Sequence, residues 1–100
     1  MSGCIFCKIA KKEIPAEIVW EDENFIAFSD INPLSKGHTL IIPKKHFRWV
    51  WDVENIGNYF EKVREVKKIL DEKYQPVFME LKVLGIDVPH AHVHLVPHYG

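Results

Sequence analysis

The stretch V-P-H-A-H-V-H-L-V-P-H, residues 88–98, constrains this chain more than any other. Successive side chains of a β-strand point to opposite faces. A strand over residues 91–97 therefore puts His92 and His94 on one face, about 7 Å apart, and turns Val93 and Leu95 to the other, against a core. His90 joins the first face only where the strand is regular, and Pro89 just before it favours a break. Imidazoles set side by side in this way suit three roles. They can ligate a metal, act as nucleophile and acid–base partners, or lie along a solvated edge. A full H-x-H-x-H argues against the solvated edge, which would tolerate many other residues. Outside this run stand His38, His46 and His98, the last read as a surface residue.

Such a strand needs a sheet around it. Residues 17–21 (E-I-V-W-E) and 24–29 (N-F-I-A-F-S) have strand length and are separated by an acidic turn at 21–24. Residues 38–43 (H-T-L-I-I-P) carry the β-branched side chains of a buried strand. Residues 77–84 form a fourth and residues 91–97 a fifth. Between them Ile56, Tyr59, Phe60, Val63, Val66 and Leu70 recur at spacings of three and four, with Glu61, Lys62, Glu65, Lys68 and Glu72 on other faces. That is a long helix, capped at its start by Asp52 or Asn55 and ended by Gln75-Pro76. A short helix is expected over residues 7–12, before Pro15. The expected fold class is α+β: a mostly antiparallel five-stranded sheet with one long helix and a short N-terminal helix. At 100 residues it makes a single domain, 1–100, with a sheet edge or helix face free for a homodimer.

Composition removes several functions. Thirteen basic against 14 acidic side chains give a formal net charge of -1, so no basic face is available for nucleic acid. Apolar runs are only a few residues long, which excludes a membrane-spanning helix. Lys8, Lys11, Lys12 and Glu13 interrupt what would be the apolar part of a signal peptide, so a cytoplasmic location is expected.

The two cysteines form one C-x-x-C, Cys4 and Cys7. No third cysteine exists for a disulfide scaffold, and a reducing compartment fits better. Three readings stay open. A thioredoxin-like redox pair wants a strand immediately before it, which Met1-Ser2-Gly3 does not offer. Half of a zinc site needs two more ligands, which the histidines can supply. Two small buried hydrophobes beside Ile5 and Phe6 is the third.

The run His90-Ala91-His92-Val93-His94-Leu95-Val96 resembles the signature of the histidine triad (HIT) superfamily. The similarity covers nearly the whole chain. Cys4-Ile5-Phe6-Cys7-Lys8-Ile9 and Glu13-Ile14-Pro15-Ala16 look like the family's N-terminal stretch. So do Phe25 to Pro33 and Gly37 to His46 in their turn, and the chain is most similar to the Hint-like branch of small nucleotide hydrolases and transferases.

The resemblance implies an enzyme and a mechanism. His92 would be the nucleophile, attacking the α-phosphorus of a nucleoside phosphoramidate or related ester. Hydrolysis of the nucleotidyl-histidine would then release the nucleoside monophosphate. His94 would assist at the phosphoryl oxygens or the leaving group, with His38 in support. The substrate implied is a purine nucleotide, its ribose hydroxyls on Asp30 and its base among Phe6, Ile9, Phe28 and Ile31. Zinc-containing relatives imply a closed structural zinc site at Cys4, Cys7, His46 and His90, and no organic cofactor.

Relatives carry an Asn- and Gly-rich loop before the triad. Here residues 83–89 form a shorter connection, with Asp87 where a hydroxyl or amide is expected beside the phosphate. The chain also ends at His98-Tyr99-Gly100, without the longer tail of some relatives. Two other functions fit the same residues: a hydrolase in which His90, His92 and His94 share one catalytic metal, and a non-catalytic nucleotide-binding domain.

Overall fold

The structure is a computed structural model that describes residues 3–100. A short helix α1 (Ile5–Ala10) precedes strands β1 (Ile18–Glu21), β2 (Phe25–Ser29) and β3 (Thr39–Pro43). A 3₁₀ turn at Val50–Asp52 leads to the long helix α2 (Ile56–Tyr74), then β4 (Phe78–Lys82) and β5 (Val93–His98). The five strands form one antiparallel sheet in the order β1-β2-β3-β5-β4. The expected fold class holds, and among the described residues no helix is long and apolar enough to cross a membrane.

Alternation within the central strands builds two cores. Phe25 and Ala27 of β2, Ile41 of β3, and Val93 and Leu95 of β5 pack on one face against Tyr59, Val63, Val66 and Leu70 of α2. Ile26 and Phe28, with Leu40 and Ile42, face the other way, onto Cys4, Phe6, Cys7 and Ile9 at and within α1. The middle strands are therefore buried on both faces, which explains why they read as continuous apolar runs. Each fully buried aliphatic chain contributes roughly 1.5–3 kcal/mol. Because α1 has only six residues, it covers part of its face and leaves the sheet open beside it.

Several boundaries differ from the sequence expectation, each for a local reason. Helix α1 begins at Ile5, ahead of the expected residue 7, because the Cys4 thiol acts as N-cap and accepts the Cys7 N–H at 3.4 Å. Asn55 caps α2, and Asp52 belongs to the 3₁₀ turn. Strand β5 starts at Val93 because the backbone before it bonds elsewhere: the Ala91 N–H goes to the Phe47 carbonyl at 2.7 Å. With no partner beyond His94, β4 stops at Lys82 and does not reach residue 84. His98, expected at the surface, is partly exposed there and is held by stacking on Phe78 at 4.5 Å and by Glu80 at 2.7 Å.

Candidate active site

Three histidines expected to act together lie on the open part of the α1 face. His94, in β5, is placed by pairing with Leu40 on one side and Lys82 on the other. His92 lies just before the strand, its ring 5.0 Å from that of His94. His38 precedes β3, and its Nε2 is 3.0 Å from His94 Nδ1. Gly37 makes the close turn into His38: its φ of +92° favours glycine, and a Cβ there would sit 2.8 Å from the Tyr74 ring.

Hydrogen-bond partners assign the tautomers. The Leu34 N–H donates to His38 Nδ1 at 3.1 Å, so His38 carries its proton on Nε2 and donates it to His94 Nδ1. His94 then keeps its proton on Nε2, a donor with no protein partner. His92 is the reverse: its Nδ1–H donates to the His90 carbonyl at 2.7 Å, leaving the Nε2 lone pair free. Both orphaned nitrogens belong to residues at least nine-tenths buried, with His92 1% and His94 8% exposed. A buried polar atom left without a partner costs about 1–3 kcal/mol, which makes the pair a candidate ligand site. The pair consists of one acceptor or nucleophile and one donor. Burial holds His38 and His94 below the usual histidine range, which keeps both neutral near pH 7.

A cavity of about 290 Å³ opens over these rings. Phe6, Ile9, Phe28 and Ile31, expected around a base, all line it. Phe6, Ile9 and Phe28 also belong to the apolar core on that face, whereas Ile31 stands at the rim, 88% exposed. Ile5, Ile14, Leu40 and Val88 extend the wall. Asp30 reaches the same cavity, with one carboxylate oxygen holding the Asn32 N–H at 2.9 Å and the other 3.5 Å from His38 Nε2. Asp87, on the loop before the triad, puts an oxygen 3.5 Å from His92 Nε2. That loop is pinned by Arg48, which donates to the Gly85 carbonyl at 2.6 Å and stacks on Trp49.

His90 faces the other way. Its Nδ1 is 3.3 Å from Cys4 Sγ and 3.4 Å from Cys7 Sγ, while His46 Nδ1 is 3.2 Å from Cys7 Sγ. All four donor atoms lie within 4.8 Å of one another. Tetrahedral zinc, with bonds of about 2.3 Å to sulfur and about 2.0 Å to nitrogen, sets sulfur and nitrogen about 3.6 Å apart, so the four residues fit that ion. The outer contact agrees, since His90 Nε2–H donates to the Pro43 carbonyl at 2.8 Å and turns the Nδ1 lone pair to the thiols. Burial pushes the His90 imidazole down to about 4, favouring the neutral form that binds metal. The alternative in which His90, His92 and His94 share one metal is corrected: the donor atoms of His90 group with the cysteines and His46, while those of His92 and His94 group with Asp87.

A sheet that sets an acceptor and a donor histidine side by side at the mouth of an apolar cavity has the groups that nucleophilic transfer chemistry requires. Comparison with known proteins names the family: residues 11–100 match the HIT domain, and the chain belongs to it. It is 42% identical to an uncharacterised HIT-like protein of Methanocaldococcus jannaschii, over 96% of this chain and 79% of that one. It is 36% identical to an adenosine 5′-monophosphoramidase of Schizosaccharomyces pombe, over 95% of this chain and 74% of the relative. A crystal structure of a HIT family protein from Bacillus anthracis superposes with a TM-score of 0.91 at 37% identity, covering 98% of this chain and 74% of that one.

Proposed function

We propose that the protein is a nucleotide hydrolase that cleaves nucleoside phosphoramidates or related esters of a purine nucleotide through a nucleotidyl-His92 intermediate. The observation that carries this reading is the buried His92 ring, whose Nδ1–H is fixed on the His90 carbonyl and whose Nε2 lone pair has no partner. The base lies in the apolar cavity against Phe6, Ile9, Phe28 and Ile31, and the ribose hydroxyls donate to Asp30.

His92 Nε2 bonds to phosphorus as the bond to the leaving nitrogen breaks, and that electron pair stays on the nitrogen, which takes a proton from solvent. The ring's positive charge is stabilised by its Nδ1–H on the carbonyl, and the His94 Nε2–H donates to a phosphoryl oxygen. Water then attacks phosphorus and gives up a proton, and the histidine regains its lone pair. His38 keeps His94 in the donating tautomer. Cys4, Cys7, His46 and His90 would hold a structural zinc, with no place for substrate at that ion; bound there, it would tie the N-terminal segment to the catalytic strand. We also propose a homodimer across the β4 edge and the apolar groove between it and α2.

Incubation with an adenosine phosphoramidate, followed by mass spectrometry of the protein, tests the mechanism. An adenylyl adduct on His92 with release of AMP supports it. Nucleotide retained with neither adduct nor turnover sinks it in favour of a binding domain.

A further inference from the structure

A second cavity, of about 280 Å³, is also lined by His94. It shares Asp30, Asn32, Asp87 and His94 with the first, so the two adjoin at these residues. The first cavity is largely carbon-walled. The second adds Lys82 and His38, with the apolar Leu34 and Leu84. Lys82 is there by strand register. It is the direct partner of His94 across the β4–β5 ladder, and directly opposed residues share a face with their Cβ atoms about 5 Å apart. The side chain is half-buried, and among the described residues it enters no salt bridge with Asp30, Asp87 or Glu80, whose carboxylates lie 3.5, 3.5 and 2.7 Å from the rings of His38, His92 and His98. Its charge nonetheless reaches His38, where it disfavours protonation.

In-line displacement at phosphorus sends the leaving group away from the attacking nitrogen. His92 lines the first cavity alone, whereas His94 lines both. With the nucleoside seated in the first, the leaving group has the second to enter. What it meets there is a carboxylate, Asp87, near the reacting centre and an ammonium, Lys82, further along.

We propose that the second cavity is the leaving-group pocket and that Lys82 is its specificity-determining residue, selecting a leaving amine that carries its own carboxylate, as an α-amino acid joined to phosphorus through nitrogen does. This deepens the hydrolase reading above and rests on it. Asp87 accepts the N–H of the leaving amine, a donor that a phosphate-linked leaving group lacks. The ammonium of Lys82 takes the carboxylate at the other end of the leaving group. Cleavage breaks the P–N bond and leaves both electrons on nitrogen. The nitrogen takes one proton from solvent, and the free amino acid departs.

The test uses two matched substrates, the adenosine 5′-phosphoramidates of glycine and of glycinamide, which differ only in the carboxylate. The readout is the ratio of their kcat/KM values. The wild-type protein favours the glycine compound, Lys82→Gln lowers that preference about tenfold, and Lys82→Arg keeps it. A wild-type ratio near one, or a ratio unchanged in Lys82→Gln, overturns the proposal while the hydrolase reading stands. Turnover of neither compound, with no adduct on His92, sinks both together.

Discussion

The His90 carbonyl accepts the Nδ1–H of His92 at 2.7 Å, while the His90 side chain turns its own Nδ1 toward Cys4 and Cys7. One residue thus links the cysteine cluster, through its ring, to the candidate nucleophile, through its carbonyl. Its ring is fixed a second time by the Pro43 carbonyl at the end of β3. The orientation of His92 therefore depends on how firmly His90 is held.

Replacing the nucleophile separates catalysis from folding. His92→Asn keeps a side-chain donor for the His90 carbonyl and removes the Nε2 lone pair. Its kcat on an adenosine phosphoramidate is expected to fall by at least about 10³-fold, with no covalent adduct. Thermal unfolding should stay close to that of the unsubstituted protein. A variant that still forms the adduct would place the nucleophile elsewhere.

The cysteine–histidine cluster makes a different prediction. The protein should hold about one zinc ion per chain by elemental analysis, and chelation should lower Tm by roughly 5 °C or more, because ligand binding to the folded form alone adds to stability. Cys7→Ser, which alters a thiol contacted by both histidines, should reduce metal content and Tm together. Metal-free protein with an unchanged melting curve after chelation would refute the zinc site.

The juxtaposition of His92 and His94 was legible because strict alternation leaves few ways to arrange Val93 and Leu95 in a core. The two-sided burial of β2 and β3 could be read from their unbroken apolar runs. The turning away of His90 was signalled only by Pro89, and its direction depends on a bond from Ala91 to Phe47 that no local pattern encodes. Lys82 left no signal. Its place beside His94 follows from the β4–β5 register, which is set by where the loop over residues 83–92 leaves the ladder. Likewise His46 meets Cys7 across 39 residues, and only family resemblance joined them in the sequence.

Acid should loosen the site. Burial lowers His38 and His94 from the ordinary value of 6.5; Asp30 and Glu80 oppose this at His38, and Asp87 and Asp30 at His94, while Lys82 and His92 reinforce it. A histidine with a depressed folded pKa binds fewer protons folded than unfolded. Its contribution to stability is thus present above pH 6.5 and is lost as pH falls through the folded value. Stability by denaturant titration should decline from pH 7.5 to pH 5, less steeply in His38→Gln. A flat profile over that range would contradict neutral burial of these rings.

Gly37 offers a test of how His38 is placed. With φ of +92° and Tyr74 and Pro97 closing on it, Gly37→Ala meets both backbone strain and contacts of 2.8 Å and 3.2 Å. The expected cost is about 1–3 kcal/mol in denaturant unfolding. Because the next residue is His38, kcat should fall about tenfold as well. Unchanged stability would mean that the turn relaxes without cost.

The outer edge of the sheet carries the last prediction. Among the described residues β4 has no strand beyond it, and Phe78 and Leu81 on it are 56% and 47% exposed. Leu81 shares its face with Met79, and with Phe60, Val63 and Leu95 it borders an apolar groove of about 250 Å³ beside α2. Open edges beside apolar grooves are usually covered in stable proteins, and a second copy of this chain supplies a matching edge and groove by two-fold symmetry. Sedimentation should find a dimer at micromolar concentration. Leu81→Lys puts an ammonium into the groove and should yield monomers that keep the fold by circular dichroism. A wild-type monomer at those concentrations, or a dimer undisturbed by the substitution, would place the interface elsewhere or remove it.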